Sequence, residues 1–214
     1  MAADDLADGI VDAAIAEAEV VGWDNVRLRR VAAALGIDMA VLGRRFRDLD
    51  AVADAWFDRA RLAMLAAVDE DLAARPARDR LYRLFCCWLD ALAPHRRVTV
   101  DMLKHKMWPF HPHHWVPMIF NLSRTILWVR DGAGLDAKPP RREIEEVALT
   151  WLFLATLAVW STDDTPGQQR TKRFLERRLA DADHLVTLVC GRGRAPAAAG
   201  AGDPTTPVAP PAEA

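Results

Sequence analysis

Residues 26–46, VRLRRVAAALGIDMAVLGRRF, carry two short apolar stripes on either side of a glycine, and few folds accommodate that pattern. Val31, Ala32 and Leu35 recur at helical spacing, Gly36 interrupts the run, and Asp38 stands where it can cap a second short helix that buries Val41, Leu42 and Phe46. A brief glycine-containing turn between two amphipathic helices marks a helix-turn-helix. Another amphipathic helix precedes it, with Leu6, Ile10, Ala14, Ala18 and Val21 on one stripe. In such a motif the second helix enters a DNA major groove by its N-terminal residues. Met39, Ala40 and Val41 are therefore the candidate groove-facing residues. Arg29, Arg30, Arg44, Arg45 and Arg47 are the candidate contacts to phosphate or base edges, the alternative for them being a solvated helix face.

These residues resemble the N-terminal domain of the TetR family of one-component regulators. The likeness runs from Ile10-Val11-Asp12-Ala13-Ala14 through Gly22-Trp23, Val31-Ala32 and Leu35-Gly36-Ile37 to Leu42 and Phe46. It departs at Arg27, where the family usually has Ser or Thr, at Gly43 in place of Tyr, at Arg45 in place of His or Tyr, and at Leu49 in place of Lys. The resemblance implies an all-α fold: a helix-turn-helix domain over residues 1–48, a helical ligand-binding and dimerisation bundle over 49–190, and a tail over 191–214. The tail is rich in Ala, Pro and Gly, without apolar periodicity, and reads as disordered.

Composition narrows the ways such a chain can work. With 214 residues and a formal net charge of -2, no global basic field draws it to nucleic acid, so DNA binding has to rest on a local patch. The first helix is acidic outside its stripe (Asp4, Asp5, Asp8, Asp12, Glu17, Glu19), whereas Asp24 to Asp50 holds six arginines against four aspartates. Cys86, Cys87 and Cys190 form neither a disulfide framework nor a zinc spacing, and the acidic start MAADDLADG lacks the basic region of an export signal. A cytoplasmic protein is expected. The longest apolar run, Val147 to Trp160, falls short of the ~20 residues that span a bilayer.

Downstream, the pattern predicts a helix from Asp48 to near Pro76, another around Leu81 to Leu92, one from Val116 to Val129, a long one from about Arg141 to Trp160, and a last one over 168–189. Aromatic side chains crowd this bundle beyond what close helix packing needs. Trp88, Trp108, Phe110, Trp115, Phe120, Trp128 and Trp151 are candidates to line a pocket for a small hydrophobic ligand, with His105 or His113 orienting it. A plain core is the competing reading. The His-rich stretch KHKMWPFHPHHW has no helical i,i+4 pair and no carboxylate or thiolate partner, so no metal and no cofactor are expected.

Leu149 to Trp160 is apolar all round and asks for cover, which favours a homodimer. The final helix sets Phe174, Leu175, Leu179, Leu185, Val186 and Val189 against Arg170, Lys172, Arg173, Arg177 and Arg178. That helix suits a dimer seam or, less readily, an anionic membrane surface. Trp160, Asp163-Asp164-Thr165-Pro166, Thr171, Phe174-Leu175 and Arg177-Arg178-Leu179 also resemble the C-terminal end of the COQ9 family of ubiquinone-biosynthesis accessory proteins, which implies a TetR-like scaffold that binds lipid rather than DNA. Catalytic signatures are missing from the sequence: no phosphate loop, no Gly-x-Ser-x-Gly, no His-Glu-x-x-His. The expectation is a regulator binding a palindromic operator, not an enzyme.

Overall fold

The computed structural model describes residues 3–106 and 112–190, with side chains over 5–106 and 121–184. Every element among them is helical: α1 (Ala3–Val21), α2 (Leu28–Leu35), α3 (Met39–Arg45), α4 (Leu49–Leu65), α5 (Glu70–Ala73), α6 (Ala77–Leu92), α7 (Arg96–Lys106), α8 (Pro112–Gly132), α9 (Arg141–Trp160) and α10 (Gln169–Cys190). The tail over 191–214 lies outside the described residues, as do Trp108 and Phe110 and the side chains of His113, Trp115 and Phe120.

The helix-turn-helix forms as its residues dictate. Gly36 ends α2 at φ 64°, a left-handed conformation that a Cβ disfavours, and the N–H of Ile37 reaches back to the Ala32 carbonyl at 3.0 Å. Asp38 then caps α3 by accepting from the Ala40 N–H at 2.9 Å. Val31, Ala32, Leu42 and Phe46 are buried with Ile10, Ala14, Trp23 and Val26, so α1 to α3 pack together at one end of a continuous core. Trp23 is 2 % exposed, and truncating a tryptophan so buried costs about 3–5 kcal/mol.

The expected helix from Asp48 to near Pro76 is two helices. Asp48 does cap α4, accepting from Ala51 N–H, but Asp69 accepts from Leu72 N–H at 2.7 Å and starts α5 afresh. Two capping aspartates within one run compete with continuous helix. A second correction is the start of α8, which opens at Pro112 rather than Val116. Proline at a first helical position gives up no helix hydrogen bond. In the rest of the core, α6 is the central element, touching α4, α8 and α10, with Leu84, Phe85, Trp88 and Leu89 buried.

The last helix departs from expectation in a way that matters below. Leu175 and Leu179 are 0 % and 4 % exposed because α10 packs on α6 and α9 within the chain, so this part of the stripe is already covered; the side chains of Leu185, Val186 and Val189 lie outside the described residues. The uncovered stripe lies on α9 instead: Ile144, Val147 and Trp151 are 68 %, 58 % and 69 % exposed. Within Leu149 to Trp160, the stretch expected to need cover, Trp151 is the large apolar residue left open.

Candidate functional site

Two regions bear on function: the outward face of α3, where most of the expected DNA contacts gather, and a cavity that takes in Trp88 alone of the expected ligand residues the structure describes. At the first, Met39, Ala40, Arg44, Arg45 and Arg47 are exposed and Val41 half-buried, so α3 presents its face outward. Arg29 is exposed on α2, and neither Arg29 nor Arg44 makes an ion pair among the described residues. Arg30 is different. Its guanidinium bridges Glu17 of α1 at 2.7 Å and donates to the Asn25 carbonyl, which ties it to the fold. Arg47 bridges its neighbour Asp48 at 3.0 Å. A Cβ at Gly43 would meet nothing within 4 Å, so the glycine answers no packing need inside the chain.

The second region is a cavity of about 230 Å³ between α4, α6, α7, α8 and α9. Phe57, Trp88 and Phe153 form its aromatic wall, Phe57 stacked on Trp88 at 6.2 Å between centroids and Phe153 edge-on to Trp88 at 5.0 Å. Leu154 and Leu157 continue the apolar side. The polar side centres on Lys106, which is 4 % exposed. Its ammonium sits 3.0 Å from Asp54 Oδ1 and 3.9 Å from Asp50, and Asn121 Nδ2 donates to the same Asp54 oxygen at 3.1 Å. An ammonium this deep survives only with such a partner.

Of the tryptophans expected to line a pocket and described in the structure, Trp88 lines this cavity, Trp128 lines a separate open cleft, and Trp151 lines neither. Trp128 stands beneath the Arg61 guanidinium, 5.7 Å from its ring centroid, on the wall of an open cleft shared with Leu127 and Arg130. Trp151 points away from the bundle because it falls on the open stripe of α9. His105 is likewise absent from the cavity; its Nδ1 lies 2.8 Å from Asp24 Oδ1, in the turn before α2. Sequence reading missed Asp54, Lys106 and Asn121, whose grouping is visible only when α4, α7 and α8 converge.

The histidine contact belongs to a larger connection. His95 Nδ1 lies 3.0 Å from Glu19 Oε1, Arg97 donates to the Glu19 carbonyl and bridges its carboxylate at 3.2 Å, and Arg59 of α4 grips Asp8 and Asp12 of α1. The hydrogen bond with His95, aided by Arg97, holds the Glu19 carboxyl below its usual value despite some burial. Thus α7 carries a cavity wall residue, Lys106, next to residues that hold the helix-turn-helix.

At the α9–α10 corner, Asp163 is fully buried and accepts from four donors: Thr165 N–H, Thr165 Oγ1, Thr171 N–H and Thr171 Oγ1, at 2.6–3.0 Å. Burial alone would raise its pKa; the four hydrogen bonds outweigh that and hold it far below the carboxylate range. Burial pushes the Cys86 thiol up to about 11 and, with Cys86 alongside, the Tyr82 hydroxyl up to about 12. Neither group is prepared for nucleophilic work. Among the described residues no cluster of His, Cys, Asp or Glu could hold a metal ion, and no helix is long and apolar enough to cross a membrane.

Set against known proteins, the chain is similar to a TetR transcriptional regulator from Nitrosomonas europaea ATCC 19718, with 36 % identity over 84 % of this chain and 98 % of that one, at a TM-score of 0.75. A protein of unknown function from Rhodococcus sp. RHA1 shares the fold at 21 % identity, over 82 % of this chain and 94 % of that one, with a TM-score of 0.51. The COQ9 family model matches residues 147–186. No curated protein matches the chain. The COQ9 match covers most of α9 and much of α10, and within it Asp163, Thr165 and Thr171 build the corner just described. Of the cavity wall it takes in only Phe153, Leu154 and Leu157.

Proposed function

The chain belongs to the TetR family of transcriptional regulators, and from that premise we propose that it acts as a cytoplasmic homodimer on a palindromic DNA operator under control of a small hydrophobic ligand. The observation that carries the proposal is the exposed face of α3, on which Met39, Ala40, Arg44 and Arg45 stand clear of the chain's own core. Arg29 and Arg44 are the first candidates for phosphate, because neither is engaged by a carboxylate among the described residues. Arg30 and Arg47 would have to leave Glu17 and Asp48 to join them. Met39, Ala40 and Val41 suit apolar contact with base edges such as the thymine methyl.

The second copy is assigned to the open stripe of α9, where Ile144, Val147 and Trp151 await cover. Such a pairing resembles the helical seam of TetR-like dimers, and it would set two recognition helices about one DNA turn apart. Ligand control would run through α7: a molecule entering beside Lys106 disturbs the helix whose His95-flanked start and His105 hold Glu19 and Asp24 of the DNA-binding head. Binding that favours one placement of α7 over another shifts DNA affinity by that difference.

Titration of the protein's own upstream DNA tests the main claim. Affinity should fall steeply with salt, as expected when arginines release counterions from phosphate. Undetectable binding at low salt, or binding indifferent to alanine at Arg29 and Arg44, would overturn it. A lipid-binding accessory role of the COQ9 kind is the second reading, favoured by the match at 147–186. We place it second because that match centres on a structural corner. Native mass spectrometry separates the two: a co-purifying isoprenoid supports the lipid role, and an empty protein that shifts operator DNA rejects it.

A further inference from the structure

The cavity wall is uneven in a way that selects a ligand. Three cations and two carboxylates line it, and the pairs can be assigned. Asp54 answers Lys106 at 3.0 Å, and Asp58 answers Arg61 at 2.9 Å. Arg124 is left over: its contact among the described residues is the neutral Asn121 amide oxygen, at 3.5 Å. Arg124 is itself exposed, with its guanidinium free to take an anion at the cavity.

Resting on the reading of this cavity as the effector site, we propose that its ligand is a small monocyclic aromatic carboxylic acid. The ring lies against Phe57, Trp88 and Phe153, where edge and face contacts are on offer. The carboxylate pairs with Arg124, the wall cation that lacks an anion. A cationic ligand finds both wall carboxylates already engaged. The volume of about 230 Å³ lies below the ~300–1,000 Å³ of drug-sized sites, which suits one ring.

Calorimetric titration of the full-length protein with benzoate, phenylacetate and 3-phenylpropanoate, each beside its neutral alcohol, tests this. At least one acid should bind about tenfold or more tightly than its alcohol, the scale of one charge-assisted pair at a partly exposed site. Arg124→Gln should abolish that preference and Arg124→Lys restore part of it, while Leu154→Trp should block acids and alcohols alike by filling the space. Alcohols binding as well as acids, or a preference that survives Arg124→Gln, would sink the acid class while leaving the cavity as a site. No heat from any probe, with Leu154→Trp indistinguishable from the parent, would overturn the acid class together with the effector-site reading.

Discussion

Replacing Asp163 by Asn should destabilise the protein far more than a charge-to-amide change usually does. The carboxylate accepts two hydrogen bonds on each oxygen, from the N–H and hydroxyl of Thr165 on Oδ1 and of Thr171 on Oδ2. Asn keeps one acceptor oxygen, which can serve one threonine. Its amide nitrogen then faces the other threonine's backbone N–H, donor against donor. Two charge-assisted bonds are lost, each worth roughly 1.5–3 kcal/mol, and the neighbouring hydroxyl can turn to recover part; about 4 kcal/mol is the expected cost. For a chain of this size that is a fall of about 8–16 °C in Tm. Urea unfolding of both proteins measures it directly. The pH dependence carries the sign of the mechanism. Because folding lowers the pKa of Asp163, its stabilisation is full above the ordinary carboxylate value near ~3.9 and is lost as pH falls through the folded value. The gap between parent and variant should hold steady from neutral pH down to about 5 and shrink below about 4. A cost under about 1 kcal/mol at neutral pH, or a gap indifferent to acid, would refute the four-bond account.

Other expectations follow from the same reading. Val147→Glu with Trp151→Glu should give folded monomers by light scattering, since both side chains are already exposed, whereas Leu179→Glu should unfold the chain by burying a charge; a double variant that stays dimeric would move the seam elsewhere. Gly43→Ala should stabilise the helix-turn-helix by about 1 kcal/mol, because the position is helical and open; thermal unfolding that shows no gain would point to strain at that site. Arg44→Ala should lower the log–log salt slope of DNA binding by about 1, and an unchanged slope would remove Arg44 from the phosphate contacts. Native Cys86, with its thiol near 11, should resist iodoacetamide at pH 8 and react on unfolding; rapid native alkylation would contradict its burial.

What the sequence by itself determined is local. Gly36 and Asp38 settle the turn of the helix-turn-helix because one allows a left-handed residue and the other supplies a cap, both within a few residues of their partners. The apolar spacing from Leu81 to Leu92 and from Arg141 to Trp160 likewise decides α6 and α9. The break between α4 and α5 was readable in Asp69, yet the Asp48-to-Pro76 pattern concealed it. Tertiary structure alone decided which stripe of a two-sided helix remains open. Periodicity says that Leu179 and Trp151 each sit on an apolar face, and only the packing of α10 on α6 and α9 buries the first and leaves the second in solvent. The cavity was also beyond local reading. Asp54, Lys106, Asn121 and Arg124 come from three helices, and which charges cancel depends on distances of 3.0 to 3.5 Å that no spacing along the chain encodes.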